Sequence, residues 1–238
     1  LKNADLDFDF AFDHVTEIIS FSGRQPIDDN SYGIRADNDA TFLCQGERRI
    51  LDCDNVLMRG RHNAENALAA IAIAERLGVA EKVIAETLAS FAGLPHRCEL
   101  VAEQDGTTFI NDSKSTNPGS TIAAINGFAD STDSLVVLIG GQSKGASFSA
   151  LGDALQENEA KVVIYGEDAQ ILEQSFQGCS ATKVSTLEEA VKVAVAISSS
   201  SKGDAVVLFS PACASFDQFK NFEVRGEKFR HLVQEISR

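Results

Sequence analysis

Three short apolar runs, each closed by small or turn-forming residues, constrain this chain more than any other feature. Val136-Val137-Leu138-Ile139 ends in Gly140-Gly141, Val162-Val163-Ile164-Tyr165 ends in Gly166, and Val206-Val207-Leu208-Phe209 ends in Ser210-Pro211. Runs this short, rich in β-branched residues and free of polar interruption, suit strands buried on both faces. Between and around them the spacing predicts helices over 118–126, 150–156, 169–176, 187–198 and 222–236. Alternation of strand and helix implies right-handed βαβ crossovers, hence an α/β fold with a mostly parallel, Rossmann-like sheet.

The first third reads differently. Residues 1–60 hold 12 Asp/Glu against 6 Lys/Arg, with turn signals at Ser22-Gly23, Asp28-Asp29-Asn30 and Asn38-Asp39. The β-rich runs Ile18-Ile19-Ser20-Phe21 and Ala40-Thr41-Phe42-Leu43-Cys44 predict a meander of small strands. The stretch AENALAAIAIAERL predicts a helix over 63–77, closed by Gly78 as its C′ glycine. A second helix is expected over about 80–91. Gly93-Leu94-Pro95 then breaks the pattern, which sets a domain boundary after residue 93: 1–93 form one region and 94–238 a second.

Charge narrows the function. With 21 Lys+Arg against 35 Asp+Glu the formal net charge is −14, the wrong sign for a nucleic-acid binder. No apolar run approaches the ~20 residues that span a bilayer, and no basic segment leads into an apolar one with a small-residue cleavage site. The five cysteines (Cys44, Cys53, Cys98, Cys179, Cys213) form no C-x-x-C pair. That argues for a reducing cytoplasm over a disulfide framework or zinc ribbon. The chain opens on Leu1 rather than Met, which reads as a fragment.

In open α/β sheets ligands gather at the carboxyl ends of the strands, and three polar clusters fall there. The first, Asn111-Asp112-Ser113-Lys114-Ser115-Thr116-Asn117-Pro118, follows an expected strand over 107–110. Pro118 fits the first helical position, with Asn117 or Thr116 as cap, so unpaired backbone N–H groups and Lys114 face this loop. An anion site and a plain capped helix with a solvated lysine fit these residues equally. The second, Gly140-Gly141-Gln142-Ser143-Lys144-Gly145, allows close backbone approach beside a lysine. It is no Walker A loop, because Lys144 precedes the glycine; a bland turn fits as well as a site. The third runs from Ser210 to Phe222. There Ser215 is suited to cap a short turn and offer a hydroxyl, while Phe216, Phe219 and Phe222 read as core. Cys213 lacks a nearby activating base in sequence, so a buried structural thiol outweighs a nucleophile.

A fourth cluster, Arg59-Gly60-Arg61-His62-Asn63 with Asn66, sits where the first helix begins, and capping by His62 or Asn63 is its plain reading. Neither H-E-x-x-H nor an EF-hand loop occurs, and His62 and His96 have no zinc-ligand spacing, so no protein metal cage is expected.

Taken together, GRHNAENALAA, GLPHRCE, INDSKSTNPGST, GGQSKG and SPACASFDQFKNFEVRG resemble, in order and spacing, the Mur ligases of peptidoglycan synthesis, in particular the branch that adds D-glutamate. The match runs from about residue 59 to the end and more loosely over 1–58. The resemblance implies that 1–93 are the tail of a central ATPase domain and 94–238 a complete C-terminal domain. It implies ATP-driven acyl phosphate formation on UDP-N-acetylmuramoyl-L-alanine, then attack by the D-glutamate amine, in a cytoplasmic monomer. By resemblance Thr116, Lys144, Ser215 and the Phe222 backbone would hold D-glutamate, and Lys114 would serve the reacting carboxylate and phosphate. Asn63, Asn66, Arg97 and Asp112 would contact ATP across a hinge near residues 93–97. One departure stands out: no G-x-x-x-x-G-K-[ST] occurs in the sequence. The P-loop, the Mg2+ ligands and a carbamylated lysine would then lie outside this chain, which alone would be inactive. The competing expectation is a non-catalytic Rossmann-like module for an acidic amino acid or nucleotide. A dehydrogenase is disfavoured, since no strand leads into G-x-G-x-x-G.

Overall fold

The computed structural model describes residues 2–3, 17–38, 40–58 and 60–236. Two compact units divide the chain, Leu1–Ala92 and Gly93–Arg238.

The first unit carries a five-stranded sheet in the order β1 (Lys2–Asn3), β2 (Ser20–Phe21), β3 (Ser31–Asp37), β4 (Ala40–Gln45), β5 (Arg48–Asp52). The expected meander holds for β3–β4–β5, which pair antiparallel. It fails for β1–β2–β3, which pair in parallel. A parallel pair needs a crossover that hairpin-style turn signals do not announce. Two helices, α1 (Arg61–Arg76) and α2 (Glu81–Ser90), pack Leu68, Ile71, Ile84 and Leu88 with Leu43 and Ile50 of the strands. Gly78 ends α1 as anticipated. It has φ +78° and donates to the Glu75 carbonyl (3.0 Å), while Val79 N–H donates to that of Ala74 (3.0 Å), a Schellman closure. The start of α1 differs from expectation. Its N-cap is Gly60 at φ 95°, with no side-chain cap bond, so neither His62 nor Asn63 caps it. Arg59 lies outside the described residues.

The second unit is a six-stranded sheet. Its strands are β6 (Glu99–Gln104), β7 (Thr107–Asn111), β8 (Ser134–Gly140), β9 (Lys161–Tyr165), β10 (Ser180–Lys183) and β11 (Ala205–Ala212), in the order β10-β9-β8-β11-β7-β6. All neighbours are parallel except β6 and β7. The helices are α3 (Pro118–Phe128), α4 (Ser149–Glu157), α5 (Ala169–Ser175), α6 (Leu187–Ser199) and α7 (Phe222–Ile236). Alternation along β11 divides the core. Val206 and Leu208 join the face covered by Ile125, Leu151, Leu155 and Leu172 of α3, α4 and α5. Val207 and Phe209 join Val191, Phe229 and Val233 of α6 and α7. Both faces of the sheet are thus covered, as the unbroken apolar runs require. The last strand in sequence, β11, lies between β7 and β8, so the strand order turns at the β8–β11 seam. No helix among the described residues is long and apolar enough to cross a membrane.

Candidate functional site

Loops following β7, β8, β9 and β11 meet at the carboxyl edge of this sheet. After β7 the chain turns sharply because Asp112 is almost wholly buried, 5% exposed, and gathers local donors. Its carboxylate accepts from Ser210 Oγ (2.8 Å), Ser115 Oγ and the Cys98 N–H (3.2 Å). Burial pushes the carboxyl up despite these bonds. Asn117 caps α3, accepting from the Ser120 N–H at 3.0 Å with Pro118 behind it. Lys114 and Thr116 are left exposed on the loop between these anchors.

Around the β8–β11 seam the two loops fasten to each other. Gln142 N–H donates to the Ala214 carbonyl and Ala214 N–H to the Gln142 carbonyl, both at 2.9 Å. A Cβ on Gly141 would stand 2.1 Å from the Ala214 oxygen, and φ there is +126°, so only glycine permits this approach. Ser143 is clamped by Asp168, which accepts from its N–H and its Oγ at 2.7 Å each. Those two bonds hold the Asp168 carboxyl below its ordinary range. Lys144 follows in the left-handed region at φ 51°, with its side chain exposed.

Ser215 is buried and opens a turn, its carbonyl accepting from the Phe219 N–H at 2.8 Å. Of the three phenylalanines beyond it, Phe219 packs against the core as expected, while Phe216 and Phe222 do not join it. Phe216 is 59% exposed, and Phe219 and Phe222 are half-buried. Two of them carry the lysines instead: Lys144 Nζ lies 4.9 Å from the Phe216 ring centroid and Lys114 Nζ 3.9 Å from that of Phe222. Among the described residues neither ammonium has a carboxylate within ion-pair distance. Cys213 sits in the core with its thiol pushed up to about 12 by burial, in keeping with a structural role.

The arrangement therefore brings together Asp112, Lys114, Thr116, Lys144, Ser215 and Phe222. Arg97 is exposed on the turn before β6. Asn63 and Asn66 belong to α1 of the other unit, joined to each other by a bond at 3.3 Å. One residue escaped the sequence reading. Arg225 of α7 is fully buried and donates to the carbonyls of Cys213 and Ser113 (3.0 Å each) and, longer, of Gly140 (3.5 Å). A single guanidinium thus ties the loops after β7, β8 and β11. Its signal was a charge on the apolar stripe of α7, in line with Phe229 and Val233 at spacings of four.

Residues 96–213 match the family described as Mur ligase, glutamate ligase domain. That stretch is a Mur ligase C-terminal domain. The whole chain is 43% identical over 222 residues to the UDP-N-acetylmuramoylalanine–D-glutamate ligase of Hahella chejuensis, covering 92% of itself and 49% of that protein. It is 43% identical over 218 residues to the enzyme of that name from Legionella pneumophila (strain Paris), covering 91% and 48%. It thus spans about half the length of the curated relatives it matches. Among solved structures, UDP-N-acetylmuramate–alanine ligase from Thermotoga maritima shares the fold at TM-score 0.60 and 20% identity, over 92% of this chain and 48% of that one. Mycobacterium tuberculosis folylpolyglutamate synthase, complexed with ADP and AMPPCP, does so at TM-score 0.61 and 15% identity, over 90% and 55%.

Proposed function

We propose that this chain supplies the amino-acid half of an ATP-dependent ligase joining D-glutamate to UDP-N-acetylmuramoyl-L-alanine in cytoplasmic peptidoglycan precursor synthesis. The observation that carries the reading is the pair of exposed ammonium groups, Lys114 and Lys144, at the carboxyl edge of the sheet without carboxylate partners among the described residues. In a chain of net charge −14, local acids are plentiful, so two lysines kept clear of them suit an anionic substrate. The names of the relatives agree with it.

In this reading Lys144, the Thr116 and Ser215 hydroxyls and the Phe222 N–H hold the carboxylates of D-glutamate, the donor set a dicarboxylate needs. ATP supplies the phosphoryl group that makes the acceptor carboxylate a good acylating group, and phosphate leaves when the amine attacks. Lys114 offsets the negative charge that develops there. Asp112 accepts bonds on both oxygens, from Cys98, Ser115 and Ser210. It fixes the loop that presents Lys114. Arg97 and Asp112 on this unit serve the nucleotide, as do Asn63 and Asn66 on theirs. Among the described residues no three His, Cys, Asp or Glu side chains converge on a cation position.

Titrating the chain with D-glutamate, with L-glutamate as control, tests this by backbone amide shifts. Saturable shifts at Thr116, Lys144 and Ser215 with the D isomer alone are expected. Equal responses to both isomers, or shifts confined elsewhere, would refute it. The lack of a P-loop motif favours a second reading, a module that binds without turnover. Phosphate release from ATP in the presence of both other substrates decides between them. Release is expected only when a phosphate-cradling segment is supplied, and its absence even then would favour the module.

A further inference from the structure

We propose that Phe216 is a positioning residue of the amino-acid site. Its ring holds the Lys144 ammonium where it selects a dicarboxylic amino acid over a monocarboxylic one. The proposal rests on the ligase reading above. The paired bonds between Gln142 and Ala214 set the register of two loops, and Lys144 and Phe216 each follow their bridge residue by two positions. Each loop is pinned once more beyond the bridge. Asp168 clamps Ser143 on one side. On the other, the Asp217 carboxylate accepts from the Glu167 N–H at 3.1 Å, and Gln218 Nε2 donates to the Ser185 carbonyl at 2.8 Å. The backbone beneath both side chains is therefore fixed.

Burial does not hold the Phe216 ring in place, since it is 59% exposed and exposed apolar area is unfavourable. What it meets is a cation, 4.9 Å from its centroid, within the range where the ring face attracts an ammonium. A lysine on four rotatable bonds otherwise loses much rotamer freedom when it binds. Held in advance on the ring, Lys144 gives up less when a carboxylate arrives. A ligand with an amide in place of the second carboxylate gains little from that preorganised charge.

The test uses the whole chain, D-glutamate and D-glutamine as probes, and Phe216→Leu and Phe216→Trp. At an exposed position both variants keep the fold, checked by their amide spectra. Without ligand, the Lys144 ε-methylene protons are expected upfield in the wild type and at ordinary values in F216L. F216L is expected to weaken D-glutamate binding about threefold while leaving D-glutamine binding nearly unchanged, and F216W to restore the preference. Equal selectivity in wild type and F216L, or no upfield shift, overturns the proposal alone. A wild type that binds no D-glutamate despite the upfield shift overturns the ligase reading and the selectivity together.

Discussion

The Lys114 ammonium stands over the face of Phe222, 3.9 Å from its centroid, while the ring of His96 meets Phe222 edge-on at 5.8 Å and 85°. Lys114 N–H also donates to the His96 carbonyl at 3.0 Å, so the start of α7 and the loop after β7 are joined directly and again through His96. Phe222→Leu keeps the backbone N–H and most apolar bulk but removes the ring face. A stability loss of about 1 kcal/mol is expected in urea titration, with the Lys114 side-chain resonances moving downfield. Unchanged Lys114 resonances would show that the ring does not hold it.

Arg225→Met tests the tie beneath the site. The methionine fills space but leaves the carbonyls of Ser113 and Cys213 buried without a donor. A loss of about 3 kcal/mol follows from two unsatisfied acceptors, read as a lower urea midpoint at unchanged slope. A loss below about 1 kcal/mol would mean that water replaces the guanidinium easily.

Gly141→Ala should undo the seam. The added methyl collides with the Ala214 oxygen, and alanine is strained at φ +126°. Slow hydrogen exchange at Gln142 and Ala214 is expected to disappear, with a stability cost of about 3 kcal/mol. Retained protection at both amides would contradict the close approach.

Two carboxylates give opposite responses to acid. Hydrogen bonds from Ser143 hold Asp168 below the ordinary value of 3.8. Its stabilisation is therefore present above 3.8 and lost as pH falls through the lower folded value. Burial holds Asp112 above 3.8. Its charged form costs stability at neutral pH, and that cost fades as pH falls through the raised folded value. Urea midpoints from pH 7 to 3 should fall less steeply in Asp168→Asn and more steeply in Asp112→Asn than in the wild type. Parallel curves for all three proteins would exclude both contributions.

The buried strands and the helices between them were legible because burial on two faces leaves an unbroken apolar run, and because Pro118 and Gly78 punctuate helix ends. Strand β10 was not: Ser180–Lys183 is four exposed residues paired only with β9, and an edge strand without a buried face carries no periodicity. Strand β6, antiparallel at the other edge, escaped for a similar reason, since Leu100 is itself exposed. Within the site, lysines and glycines after strands stood out. Phe216 and Arg225 did not, because each reverses its usual environment: the aromatic serves the surface and the cation lies inside. Their roles depend largely on contacts between residues far apart in sequence, such as Phe216 with Lys144 and Arg225 with Ser113, which spacing alone does not encode.

The place of β11 has a consequence for how the protein is made. Of this sheet's strands, β6–β7 and β8–β9–β10 are synthesised before β11, as two groups with no direct pairing between them. Each has an inner edge of open backbone groups, and those on β7 and β8 are closed only by residues 205–212. The central strand arrives last and joins the halves, and the loop that follows it brings Ala214, Phe216 and Phe222. One strand thus both completes this sheet and assembles its candidate binding edge, and a chain lacking β11 has neither.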